Sequence, residues 1–346
     1  MSDLTPLNVG IIGAGFMGMI HVKAYQQAPG FRLAALCNPS GRNLDGDFSS
    51  VAGNIGDPNP PKLDMSAVRA TRDPGELFAD PSIDVIDICA PTVTHRDLAL
   101  RALAAGKHVL CEKPLARTSA EGREIAAAAA GAKGFLMPAM CLRFWPEWAW
   151  LKRAIEAGTH GRVLGARFRR VAHPPGWGQG HFGDGAKSGG ALLDLHIHDT
   201  DFVQYCFGAP SSVFSTGYTK HTGAIDHVVT QYAVAGGASV HAEGGWAMTS
   251  GFGFNMSYTV NFERATADYD IARGPENALK LYAEGREAEV IRCEVGDGYV
   301  GELRHFEESI RAGRRPTVVT PEDGVRSLLI CEAEERSIRS GRPEAI

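Results

Sequence analysis

Two short stretches of this 346-residue chain place ionisable side chains where an apolar pattern would otherwise continue. The first runs Gly189-Gly-Ala-Leu-Leu-Asp194-Leu-His196-Ile-His198-Asp199-Thr-Asp201. Read as a helix from about Gly190, it puts Asp194 and His198 four residues apart on one face. His196, roughly 200° round the helix from each, points elsewhere. An Asp–His pair in a dry cleft is an acid/base unit: the imidazole accepts a hydroxyl proton, and the carboxylate orients the ring and supports the imidazolium. A hydrogen-bonded core histidine is the competing reading. His196, His198, Asp194 and Asp199 are also dense in metal donors. The H-x-H spacing, however, brings two ligands together on a strand and not on a helix, and no cysteine lies nearby, so no metal site is read here. The second stretch, Glu112-Lys113-Pro114, ends the apolar run Val109-Leu-Cys111. Proline fixes the backbone and withdraws an N–H donor, which holds the lysine at a sheet edge. An ammonium there donates to a substrate hydroxyl, with Glu112 as its partner; a surface ion pair is the alternative.

Such residues need a scaffold, and the N-terminal stretch supplies its outline. Val9 to Ile12 reads as a buried strand. It leads into Gly13-Ala14-Gly15-Phe16-Met17-Gly18 and a helix from Met17 to Gln27. A strand, then G-x-G-x-x-G, then a helix is the context of a dinucleotide-binding fingerprint. Gly13 permits the tight turn, Gly15 lets backbone approach a pyrophosphate, and Gly18 lets helix and strand pack closely. The helix N-terminus offers unpaired N–H groups and partial positive charge to the phosphates. About 20 residues beyond the last of these glycines, an acidic residue would select the ribose hydroxyls of NAD. This chain has Asn38 there, followed by Ser40 and Arg42, which could hold a 2′-phosphate. NAD and NADP are both left open.

Further along, strands are expected at Phe31–Asn38, Ala67–Thr71, Asp84–Ala90, Gly106–Pro114 and Phe135–Leu142. Helices alternate with them, one beginning at a Thr118/Glu121 capping box. Residues 39–66, with Asp57-Pro-Asn-Pro-Pro61, read as a surface excursion. This alternation predicts an α/β N-terminal Rossmann domain, a doubly wound parallel sheet. Ligands lie beyond the carboxyl ends of its strands, where the glycine loop, Asn38, the turn Ala90-Pro91-Thr92-Val-Thr-His95 and Glu112–Pro114 all fall. The texture then changes. Helix Pro146–Ala157, strand Gly161–Val171, a Gly/Pro/aromatic loop over 173–185 and helix Gly189–Phe207 precede alternating segments over 211–293, with hairpin tips at Gly236-Gly237 and Glu284-Gly285. Helices at Gly298–Arg311 and after Thr320-Pro321 close the chain. The expectation is an α+β C-terminal domain with a large, mostly antiparallel, open-faced sheet. The division is drawn as 1–135 for dinucleotide binding and 136–346 for substrate binding and oligomerisation.

Composition narrows the function classes. The chain is 44% hydrophobic with a formal net charge of −5, enough for a sizeable core and without a basic footprint for nucleic acid. Its apolar stretches are short of a membrane span, and Met1-Ser-Asp-Leu-Thr-Pro-Leu7 lacks a basic n-region, so a cytoplasmic location is expected. Seven scattered cysteines without C-x-x-C argue against a disulfide framework.

Taken in order, Gly13-x-Gly15-x-x-Gly18, Glu112-Lys113-Pro114 and Gly189-Gly-x-Leu-Leu-Asp194-x-x-x-His198-Asp199 resemble the glucose–fructose oxidoreductase/inositol dehydrogenase/rhizopine-catabolism (Gfo/Idh/MocA) family over nearly the whole chain. The resemblance implies an NAD(P)-dependent dehydrogenase acting on a sugar, sugar acid or cyclitol. It also implies a homodimer or homotetramer formed through the open face of the second sheet. The family's catalytic residues map onto Lys113, Asp194 and His198, and its cofactor contacts onto the glycine loop, Ala90–His95 and Glu112. Two departures stand out: Asn38 at the ribose position, and His196 where the family often has glycine. Arg143 and Trp177 are candidates for the pocket wall, an aromatic face suiting a sugar ring. The same residues would also serve an NAD-dependent redox-neutral glycosidase or lyase, and the fold alone a non-catalytic cofactor-binding sensor.

Overall fold

Strands β1 (Leu7–Ile12), β2 (Phe31–Cys37), β3 (Arg69–Thr71), β4 (Val85–Ile88), β5 (His108–Glu112) and β6 (Leu136–Ala139) form one sheet in the order β3-β2-β1-β4-β5-β6. Every neighbouring pair is parallel. The near-continuous apolar runs explain this, since a parallel sheet is covered on both faces; β4 and β6 are buried at every position. The computed structural model describes residues 5–53, 62–294 and 296–346. The run Asp57–Pro61 therefore lies outside the described residues. What is described of the surface excursion includes a bridge between Asp47 and Lys62 and a short 3₁₀ turn at Met65–Ala67.

Helices Phe16–Tyr25, Pro74–Ala79, His95–Ala104 and Ser119–Gly131 connect the parallel strands. The last starts at a complete capping box: Thr118 Oγ1 accepts the Glu121 N–H at 3.2 Å, and the Glu121 carboxylate accepts the Thr118 N–H at 3.1 Å. The chain divides into two compact units, 1–141 with 297–325 and 142–296 with 326–346. This differs from a single cut after residue 135. Helix Gly298–Arg311 belongs to the first unit because it buries Leu303 and Phe306 there. In addition, Arg311 donates to the carbonyls of Thr5 and Gly30, and Arg315 to those of Ala129 and Ala130.

In the second unit, β7 (Val163–Ala172), β8 (Ser212–Tyr218), β9 (His227–Ala233), β10 (Ser239–Gly245), β11 (Phe254–Phe262), β12 (Ala265–Asp270), β13 (Leu279–Ala283), β14 (Glu289–Val290) and β15 (Glu344–Ala345) make the second sheet. Their order is β14-β13-β12-β11-β7-β10-β9-β8-β15. All pairs are antiparallel except β7–β10. Alternation along β9 leaves Val228, Thr230 and Tyr232 buried and the residues between them exposed. The covered face packs Trp148 of helix Pro146–Ala157 and Phe202 of helix Ile197–Phe207 against Phe168, Tyr258 and Tyr269. The other face carries exposed Phe214, Val229 and Tyr282. Both expected hairpin tips are present, between β9 and β10 and between β13 and β14.

Two local expectations are revised. Gly189 and Gly190 have φ of +79° and +69°, so they break the backbone ahead of the expected helix. Residues Leu192–His196 then form a π-helical turn before the α-helix Ile197–Phe207 begins. The loop 173–185 contains the helical turn Gln179–Phe182, and a second turn, Gly185–Ser188, starts where it ends. Among the described residues, no helix is long and apolar enough to cross a membrane.

Candidate active site

The glycine loop has the geometry that a pyrophosphate requires. Gly13 has φ of +111°, and a Cβ there would stand 2.4 Å from the Cys89 carbonyl oxygen. At Gly18 a Cβ would meet the Gly13 carbonyl oxygen at 1.9 Å, so helix and strand touch through glycine alone. Gly15 is the opposite case: nothing stands within 4 Å of its missing side chain. It is also the N-cap of helix Phe16–Tyr25 and provides no side-chain cap. An open approach and the helix dipole together suit an anion. The residues present fit a dinucleotide.

Beyond β2, Asn38 spends its carboxamide on its own loop. Nδ2 donates to the Arg42 carbonyl at 2.7 Å, and Oδ1 accepts from Ser40 Oγ at 3.1 Å. Arg72, which the sequence did not flag, donates to the Pro39 and Ser40 carbonyls. Ser40 and Arg42 are exposed.

Lys113 lies between two gripped neighbours. Glu112 is 4% exposed; its Oε1 is 2.9 Å from His21 Nε2, and its Oε2 accepts the Lys113 backbone N–H at 2.9 Å. Glu112 is thus turned into the first unit, where it serves Lys113 through its backbone. On the other side, His95 Nδ1 is 2.9 Å from the Pro114 carbonyl and Nε2 is 2.8 Å from that of Ala90. Burial holds His95 below the ordinary histidine range. A neutral imidazole has one N–H, so it satisfies one of these carbonyls at a time. From 109 to 116, every residue is buried except Lys113.

The π-helical turn shows the same economy. From 190 to 204, every residue is buried except Asp194 and His198. The two therefore share the accessible side of the segment, as the four-residue spacing predicts, although the turn is wider than an α-turn. Such π-turns recur at functional sites. His196 faces the opposite way and is fully buried. Its Nε2 lies 3.1 Å from Tyr232 Oη and 3.3 Å from Glu334 Oε1. A Cβ on Gly244 would come within 2.4 Å of His196 Nδ1, so glycine in β10 makes room for the ring. His196 reaches the sheet.

The sequence matches the Gfo/Idh/MocA oxidoreductase family, NAD-binding Rossmann fold, over residues 7–140, and the Gfo/Idh/MocA C-terminal domain over 148–268. The chain belongs to the Gfo/Idh/MocA family. It is similar to the scyllo-inositol 2-dehydrogenase (NAD(+)) of Bacillus subtilis (strain 168), with 27% identity covering 96% of this chain and 94% of that protein. It is also similar to the trans-1,2-dihydrobenzene-1,2-diol dehydrogenase of Mus musculus, with 32% identity covering 71% and 74% respectively. In fold it resembles a levoglucosan dehydrogenase solved with NADH and levoglucosan, with a TM-score of 0.84 over 99% of both chains at 23% identity. As a Gfo/Idh/MocA member, the chain is a nicotinamide-dependent oxidoreductase acting on CH–OH groups.

Two pocket-wall candidates of this family member have other engagements. The Arg143 guanidinium is 4% exposed and grips Asp201 with both edges, Nε to Oδ2 at 2.8 Å and Nη2 to Oδ1 at 2.7 Å. It also lies over the Tyr205 ring. As a pocket-wall candidate, Arg143 thus carries a guanidinium already held in an ion pair. Trp177 stands edge-on to Phe182, which in turn stands edge-on to Trp246, an aromatic chain from the loop to the sheet. Sequence reasoning missed His21, Asp87 and Glu302. A signal existed for Asp87, a charge in the middle of the buried run Val85-Ile-Asp-Ile88.

Proposed function

We propose that this protein oxidises a secondary hydroxyl of a cyclic polyol, a sugar, sugar acid or cyclitol, with NAD or NADP, and catalyses the reverse reduction. The observation that carries the assignment of roles is the exposure pattern. In two otherwise buried stretches, Lys113, Asp194 and His198 are the only residues reaching the surface. Gly13 to Gly18 would hold the pyrophosphate, and the Asn38–Arg42 loop the adenosine ribose. When bound, the nicotinamide accepts the hydride that leaves the carbinol carbon. Lys113 donates to the carbinol oxygen and stabilises the negative charge that develops on it. His198 takes the hydroxyl proton as the carbonyl forms, and Asp194 orients the imidazole and balances its charge. In the reductive direction His198 returns that proton.

Support for the substrate class comes from the curated relatives, whose named substrates are ring compounds bearing hydroxyls. Assembly into a homodimer or homotetramer is supported by Phe214, Val229 and Tyr282 on the uncovered face of the second sheet. A cytoplasmic location fits seven cysteines of which none is disulfide-bonded.

The test is absorbance at the reduced-nicotinamide band across inositols, hexoses, sugar acids and anhydrosugars, with NAD and NADP in parallel. Growth of the band with one substrate is expected. A flat trace across the panel, with cofactor binding shown by fluorescence, would replace this reading with redox-neutral cleavage or sensing.

A further inference from the structure

The side chain that fixes Glu112 is His21, a residue of helix Phe16–Tyr25 that is 1% exposed. Its Nδ1 lies 2.7 Å from Asp87 Oδ2 and its Nε2 2.9 Å from Glu112 Oε1. The chain of contacts continues from Glu112 Oε2 to the backbone N–H of Lys113 at 2.9 Å. We infer that His21 is a positioning residue: by bridging Asp87 and Glu112 it fixes the carboxylate that receives the Lys113 N–H, and with it the direction in which the Lys113 side chain leaves β5. The inference rests on the reading of Lys113 as a catalytic residue.

Geometry sets the protonation state this requires. A neutral imidazole donates one hydrogen bond, whereas two carboxylates stand at hydrogen-bond distance from the two ring nitrogens; the imidazolium donates to both. The other groups facing the ring are Cys89 after β4, Tyr25 one turn along its own helix, and Tyr299 and Glu302 from helix Gly298–Arg311. Burial is the largest single influence on His21 and opposes its charge, but Asp87 and Cys89 together outweigh it and hold the imidazole well above the ordinary histidine range. Glu302 stands 3.9 Å from His21 Nε2, and among the described residues neither of its carboxyl oxygens has a hydrogen-bond partner. Burial pushes its carboxyl well above the carboxylate range. One imidazolium thus serves two carboxylates, and burial favours the neutral form of the third acid.

Removal of the proton at alkaline pH takes the imidazole N–H away from either Asp87 or Glu112, a buried loss that moving Glu112 would relieve. The wild-type advantage should therefore fade as pH rises. The experiment uses the full-length protein and compares wild type, His21→Gln, Glu112→Gln and Lys113→Met, with myo-inositol and NAD as first probes. Initial rates are taken between about pH 6 and pH 10, a window spanning the raised imidazole range. Labelling of Lys113 by an amine-acylating reagent, read by peptide mass spectrometry, reports its orientation without turnover. NADH affinity by fluorescence and thermal melting serve as controls. His21→Gln keeps one donor and cannot titrate. It should lower kcat about 10- to 100-fold near neutrality, as other positioning contacts do, with NADH affinity nearly unchanged and an altered Lys113 labelling rate. Its deficit should shrink as pH rises.

A deficit constant with pH, or unchanged labelling of Lys113, would overturn the inference and leave His21 a packing residue. If His21→Gln melts early, Glu112→Gln, which weakens the same bond while preserving shape, must reproduce the labelling change or the inference falls. Activity retained in Lys113→Met would overturn the catalytic reading of Lys113, while the labelling result would still decide whether His21 positions it.

Discussion

The two segments that bring ionisable residues to the surface are backed by charge networks of opposite design. Behind Lys113, one imidazole faces three acids, Asp87, Glu112 and Glu302. Behind Asp194 and His198, each acid has its own partner: Asp201 with Arg143, Asp199 with Arg170, and Glu334 with His196. A guanidinium keeps its charge across the accessible pH range, so the cation of each arginine pair is fixed even though burial raises the Asp199 carboxyl above its ordinary range. A cluster with more acids than bases must leave one neutral or change charge with pH. Pairing one to one therefore builds a rigid support, while unequal pairing builds a support that responds to pH. Buried ion pairs add little net stability but are expensive to break, so each arginine pair acts chiefly to define one arrangement.

The sharpest way to break this comparison is to separate the exposed residues from their supports. His198→Ala removes the proposed base and leaves the pairs behind it intact. kcat should fall about 10²- to 10⁴-fold, with cofactor affinity and melting temperature close to wild type. Unchanged turnover would remove His198 from the chemistry. Arg143→Met acts on the support instead. It strands Asp201, which also accepts from Ser327 and Gln204, in a buried site. A loss of about 3–5 kcal/mol in denaturant unfolding is expected, whereas a change confined to KM would restore Arg143 to the pocket wall.

How much of this was legible in the sequence follows the same division. The parallel sheet could be read because continuous apolar runs and glycine spacing are local signals. Helix Pro146–Ala157 could be read because proline opens it and Gly158, in the left-handed region at φ +62°, closes it. Asp194 and His198 could be paired because spacing of four survives in a π-turn. The π-turn itself was hidden, since Leu192–His196 carry the same apolar periodicity as an α-helix and the two preceding glycines looked helical on pattern alone. His196 and Arg143 were ambiguous because their partners, Glu334 and Asp201, are 138 and 58 residues away. Helix Gly298–Arg311 was placed correctly in sequence, and its company with the first unit was hidden because its anchors on Thr5 and Gly30 are long-range.

The unequal cluster also predicts how stability varies with pH. His21 holds its proton to higher pH in the folded protein, so its contribution is complete below the ordinary imidazole range and is lost as pH rises through its raised value. Glu302, also raised, acts in the same direction: it favours the folded state below the carboxylate range and progressively less above it. Melting temperature should therefore fall between about pH 6 and pH 9. Glu302→Gln keeps the neutral form at all pH values and should flatten that slope without abolishing it. An unchanged slope would mean that neither the raised carboxyl nor its neighbourhood governs the alkaline limb.

The smallest expected effect extends the contrast between supporting and exposed cations to the ribose loop. Arg72 holds the Pro39 and Ser40 carbonyls, so Arg72→Ala should weaken NAD and NADP together by loosening the loop that presents both. Arg42 is exposed and Asn38 bonds its carbonyl, not its guanidinium. If its side chain reads a 2′-phosphate, Arg42→Ala should raise KM for NADP a few-fold, in line with the roughly 0.2–1 kcal/mol of an exposed ion pair, and leave KM for NAD unchanged. Equal changes for the two cofactors would make Arg42 a second support, and Asn38 would then be the residue to replace by Asp in testing which cofactor this loop selects.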